Sequence, residues 1–208
     1  RLFHPGTDIS VPDIKKIAVL FFENLGPEDD EYFADGLTEE ITSRLAALQQ
    51  LGVISRTSAV QYKKSQKAIK QIGEELGVAF VLEGTVRWQK TATGPQRIRV
   101  TPQLIRVADD MHLWAEQYDA VLEDVFRVQT DIALKVIGQL DMTLNEPERD
   151  MVEARPTENL EAYEAYLRGL DYSRRSAYSE RTRRVEIQMY ERFGEYYGYE
   201  FFVLSSAS

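Results

Sequence analysis

The stretch KIAVLFF, residues 16–22, constrains the fold more than any other part of the chain. It is a short, unbroken apolar run, which suggests a strand buried on both faces. Such a strand belongs in a sheet with helices laid on it. The next residues, ENLGPEDDEYF, read as a loop broken at Gly26-Pro27. From Asp35 onward Leu37, Ile41, Leu45 and Leu48 recur at helical spacing, with Ala34 and Ala46 flanking the stripe. Asp35 is the expected N-cap, and Glu39-Glu40 in the first turn suit the helix dipole.

The same reading continues along the chain. Residues 52–58 follow a glycine with β-branched side chains and suggest a second strand. Ile69, Ile72 and Leu76 mark a short helix closed by Gly77 at C′. Residues 78–89 and 97–107 flank the turn cluster KTATGP and read as an antiparallel hairpin. On its second strand Ile98, Val100, Pro102 and Leu104 share the core face, and Arg97, Arg99, Thr101 and Gln103 the wet one. HLWAEQYDA suggests a third meander strand, and the stripe from Leu122 to Leu140 a long helix on the sheet. The order β-α-β-α-β-β-β-α predicts an α/β (α+β) fold with a mixed sheet, followed by a C-terminal helical hairpin. The expected division is a linker at 1–15, an α/β domain at 16–144, a charged linker at 145–159 and a helical segment at 160–208.

Composition removes several classes of function. The net charge of -9 argues against nucleic acid, because binding a duplex requires a basic face. Without cysteine there are no disulfides, zinc–thiolate sites or thiol nucleophiles. No apolar run is long enough to span a bilayer, and no signal-peptide pattern opens the chain. The polar, turn-rich start without Met suggests a fragment of something larger.

Catalytic and metal templates also fail. Read as an EF-hand with Gly36 sixth, the acidic loop would place Phe33 third and Thr42 twelfth, where oxygen ligands are needed. There is no G-x-x-x-x-G-K-[ST], G-x-G-x-x-G or G-x-S-x-G. His112 and Glu116 lie four apart on a predicted strand, too far to share an ion. With 34 acidic residues, no carboxylate pair stands out. No metal and no cofactor is expected. What remains are strand-end residues where open α/β sheets place ligands: Glu23, Asn24, Asp35, Gly36, Arg56 and Ser58. The plainer role for Arg56 is a salt bridge to Glu23 or Asp35. Trp88 and Trp114 read as packing on the sheet.

Residues 16–140 resemble the TolB-like N-terminal domain of bacterial tetratricopeptide-repeat proteins. Such domains are often fused to a Ser/Thr kinase, an adenylate cyclase or a winged-helix regulator. The resemblance is carried in order by KIAVLFFENL, EYFADGLTEEITSRL, LGVISRTSAVQYK and IGEELGVAFVLEGTVRW, and then by residues 98–136. One departure is Phe21, where the family usually has proline. EAYEAYLRGL and VEIQMYERF resemble the two helices of a degenerate tetratricopeptide unit. Glu186, Phe193 and Gly198 stand there in place of alanine, alanine and proline.

The resemblance implies a non-catalytic sensory or protein-interaction module of a bacterial signalling or envelope protein. One alternative is the regulatory part of a cyclase or kinase polypeptide whose catalytic domain lies elsewhere. Another is a flagellar or curli-type assembly protein. A protein or peptide partner is expected, in an extracytoplasmic setting after an upstream span, with no membrane insertion by this segment. The aromatic run Tyr196, Tyr197, Tyr199, Phe201 and Phe202 is expected to be buried, in a homodimer or against the first domain.

Overall fold

The computed structural model describes residues 14–89, 96–157 and 159–175. Residues 1–13 of the expected linker at 1–15, the KTATGP turn, the second helix of the hairpin and the aromatic tail lie outside them, and Lys15 at the linker's end already belongs to the first strand. The fold is a mixed sheet with helices, as the pattern implies. β1 (Lys15–Val19) lies between β3 (Leu51–Val53) and β4 (Phe80–Gln89) and is parallel to both. β5 (Arg97–Arg106) pairs antiparallel with β4 from Phe80↔Arg106 to Gln89↔Arg97. The single expected strand at HLWAEQYDA is two, β6 (Met111–Ala115) and β7 (Tyr118–Val121), both paired to β5. They separate opposite Thr101 and Pro102 of β5, β6 ending against Gln103 and β7 beginning against Val100.

The first apolar run departs from the ladder after Val19 and returns to it as β2 (Glu23–Asn24), beside Thr85 and Val86 of β4. In the gap the Phe22 amide donates to Thr38 Oγ1 at 3.0 Å, so this buried N–H keeps a partner. Glu23 and Asn24 are therefore strand residues and not the start of a loop.

Helix α1 (Glu31–Ala46) begins a turn earlier than expected. Pro27 and a 3-10 turn over Glu28–Asp30 lead into it, and Asp30 takes the N-cap position. Asp35 is thus an internal helix residue. The acidic run Glu28–Glu31 sits at the positive end of the helix dipole. Among the described residues no group of three or more acidic, histidine or cysteine side chains is placed to hold a metal ion. Phe33, Leu37, Ile41 and Leu45 are buried from α1, whereas Ala46 faces solvent.

The expected second strand at 52–58 stops at Val53, and Arg56–Ala59 form a short helix, α2. Helix α3 (Ile69–Leu76) ends at Gly77, whose φ of 64 is the left-handed cap that glycine adopts without strain. One crossover runs from β1 to β3 through α1, and the next runs from β3 past β1 to β4 through α3. The two move in opposite directions across the sheet, which puts α1 and α3 on opposite faces. The two cores reflect it. Ile17, Val19 and Leu82 join α1, and Ala18, Leu20 and Val81 join Ile72 of α3.

Helix α4 (Val125–Gln139) lies on the α1 face. The stretch read as a linker contains α5 (Glu146–Glu153), followed by α6 (Leu160–Arg175). Val152, Tyr163 and Leu167 of these helices belong to the same buried cluster as α1 and α4. The close approach of α6 depends on Gly36, because a Cβ there would lie 2.4 Å from Leu167 Cδ2.

Candidate functional site

Strand β1 runs between two parallel neighbours whose crossovers leave on opposite faces. Its carboxyl end is therefore the topological switch point of the sheet, where open α/β folds leave a crevice. A cleft of about 830 Å³ occupies this position. Leu20–Asn24 form one wall and Glu83–Thr85 of β4 another, and the segment 62–69 arches over as a strap. Ile72 of α3 and Leu20 make its inner side apolar.

The strap is held by lysines. Lys63 Nζ reaches Asp35 Oδ1 at 2.6 Å and Glu31 Oε1 at 2.8 Å. Lys64, in the left-handed region at φ 61, meets Glu31 at 3.2 Å. Lys67 pairs with Glu75 at 2.7 Å, and Tyr62 donates to the same carboxylate at 2.9 Å. Burial works against the Lys63 charge, yet the hydrogen bonds to Asp35 and Glu31 outweigh it and raise the ammonium pKa. Lys63 in turn holds the Glu31 carboxyl below its usual range. Asp35 goes the other way, because desolvation is the larger influence and pushes its pKa up despite Lys63. Lys63 is thus the counter-charge that the two acids share.

The six residues singled out from the sequence do not converge on one site. Glu23 and Asn24 line the switch-point cleft. The Asn24 side chain also closes its own turn, accepting from the Gly26 amide at 3.0 Å and donating to Pro27 O at 2.6 Å. Asp35, Gly36 and Arg56 line a second groove of about 480 Å³ between α1, the strap and α6. Arg56 forms its salt bridge with Glu39, at 2.7 Å, and not with Glu23 or Asp35. Ser58 lies on α2 within 3.2 Å of Ser55 Oγ and lines neither cleft. Phe21 joins the two regions, with the Arg56 guanidinium 5.5 Å and the Lys63 ammonium 5.4 Å from its ring centroid.

Two residues escape the sequence reading. Glu83 sits on the β4 face that carries Val81, half-buried on the cleft wall opposite Gln103. Burial pushes its carboxyl up, His112 partly offsets this, and Asp110 and Glu23 add to it. A glutamate on the same pleat as a core valine is the available signal. Arg44 is buried on α1 and donates from Nη1 to the carbonyl oxygens of Val152 and Ala154, the latter at 2.8 Å. It fastens the carboxyl end of α5, and nothing in its local sequence distinguishes it from a solvated arginine. Trp88 packs edge-on against Phe33 with ring centroids 4.8 Å apart, and Trp114 packs against the same core, as expected.

No family model matches the chain. The chain is 39% identical over 159 residues to the protein named "Putative adenylate cyclase 3" of Rhizobium meliloti (strain 1021). That match takes in 76% of this chain, which spans about a quarter, 26%, of the relative's length. Among solved structures, TolB from Acinetobacter baumannii matches at a TM-score of 0.44 and 18% identity, over 61% of this chain and 28% of that one. The PelC dodecamer subunit from Paraburkholderia phytofirmans matches at a TM-score of 0.42 and 18% identity, over 62% of this chain and 89% of that one. Structural likenesses this partial carry no functional argument.

Proposed function

We propose that this chain is a non-catalytic recognition module, the regulatory segment of a larger bacterial signalling polypeptide of the cyclase type. The observation that carries the reading is the 39% identity to a protein bearing a cyclase name, of which the matched region is a minor part. The cleft supports it. Its lysines are engaged in pairs that tie the strap to α1 and α3. The adjacent groove, which shares Lys63, puts α6 next to the same charges.

A protein or peptide partner and an extracytoplasmic setting complete the proposal. Residues 1–208 incubated with Mg-ATP are expected to release no cyclic AMP above a heat-treated control. Turnover that Lys63→Met or Glu83→Gln abolished would overturn the non-catalytic reading.

A further inference from the structure

Of the charges facing the switch-point cleft, the cations already have partners. Lys63 is held by Glu31 and Asp35, Lys64 by Glu31 and Lys67 by Glu75. Glu83 differs from them. It is half-buried on the cleft wall and forms no ion pair or side-chain hydrogen bond among the described residues. We infer that the cleft takes a small ligand bearing a primary ammonium or guanidinium on a short apolar body, with Glu83 as its counter-ion. The inference rests on reading this cleft as the recognition site.

The chemistry favours a cation over an anion. A partly desolvated carboxylate without a partner is unfavourable in the free protein, and an incoming cation removes that penalty as it forms a charge-assisted hydrogen bond. Burial biases Glu83 toward its neutral form and His112 only partly opposes this, so a cation that pairs with Glu83 must also hold its carboxylate charged. An anion, by contrast, would have to draw a lysine away from its present carboxylate. Ala68, at the amino end of α3, offers no side-chain cap, and no glycine cradle surrounds it. Leu20, Ile69 and Ile72 supply apolar surface for the ligand body. The volume falls in the usual range for small-molecule sites.

The test is an amide-resolved NMR titration of the full chain with isoamylamine and agmatine. Isoamyl alcohol, 4-methylpentanoate and inorganic phosphate serve as comparison probes. The amines are expected to saturate, shifting the amides of Leu20–Glu23 and Glu83–Thr85. Glu83→Gln should weaken them by about tenfold or more, the loss expected for a charged hydrogen bond. Glu83→Asp, which keeps the charge but withdraws it by one methylene, should fall between the two. If phosphate or the carboxylate binds at these amides and the amines do not, the ligand class is wrong while the cleft remains a recognition site. If no probe binds, the cleft reading falls with it. Amine binding that Glu83→Gln leaves intact would overturn the role of Glu83.

Discussion

Glu83 has opposite consequences for binding and for folding. Its raised pKa means that the folded chain takes up its proton more readily than the unfolded chain. Stability therefore falls as pH rises from the ordinary glutamate value through the raised one, and the loss persists above it. Glu83→Gln is expected to melt higher than wild type at neutral pH, with the advantage shrinking as pH falls from the raised value to the ordinary glutamate value and gone below it. The gain should stay under about 1 kcal/mol, because the side chain is partly solvated. Thermal melts of both proteins across pH check this, and a variant no more stable at neutral pH would refute it. Individual partners are the least legible part of the sequence. Arg56 is a salt-bridge residue, as its place at a strand end implies, but its acid is Glu39. Choosing among nearby carboxylates depends on helix phase, and an N-cap at Asp35 sets that phase a turn late.

At the scale of elements, periodic segments are legible and their ends are not. The alternation on β5 places Ile98, Val100, Pro102 and Leu104 inward, as they are found. The stripe from Leu122 to Leu140 is α4 behind a 3-10 turn. α5 escapes a reading by periodicity because its apolar face is nearly absent; Val152 and Glu148 are its buried residues. The signal is in the cap. Asn145 accepts from the Glu148 amide at 2.9 Å, and Glu148 Oε2 returns to the Asn145 amide at 3.1 Å, with proline in the first turn. Asn145→Ala is expected to cost about 1 kcal/mol. It would be read as a lower urea midpoint at unchanged slope, with faster amide exchange confined to α5. An unshifted midpoint would show that α5 is held by Arg44 and Val152 alone.

The whole molecule raises the question of where its stability resides. The expected boundary at 144 and the shared cluster of α1, α4, α5 and α6 make different demands. Val152, Tyr163 and Leu167 are buried to 0%, 0% and 3% exposure. At about 1.5–3 kcal/mol for each buried side chain, their loss would remove on the order of 5 kcal/mol, comparable with the entire stability of a small domain. The Gln129 side chain would also lose its hydrogen bond to the Tyr163 hydroxyl, 2.7 Å long. A truncation ending at residue 144 is therefore expected to be unfolded or much less stable than the full chain by urea titration. If its midpoint matched the full chain's, the helices would be an appendage and the boundary at 144 a true one.

The contact between Gly36 and Leu167 also has a mechanical meaning. Leu167 lies near the middle of the 16-residue α6, and it rests on the turn of α1 whose acids hold the strap lysine. A bare backbone at that point lets the helix seat close on α1, with Leu167 as the point about which any tilt of α6 would turn. At 1.5 Å of rise per residue, Arg175 is about 12 Å from the pivot, so a tilt of about 10° would sweep it through about 2 Å. Small adjustments of α1 would thus be magnified along the direction in which the chain continues.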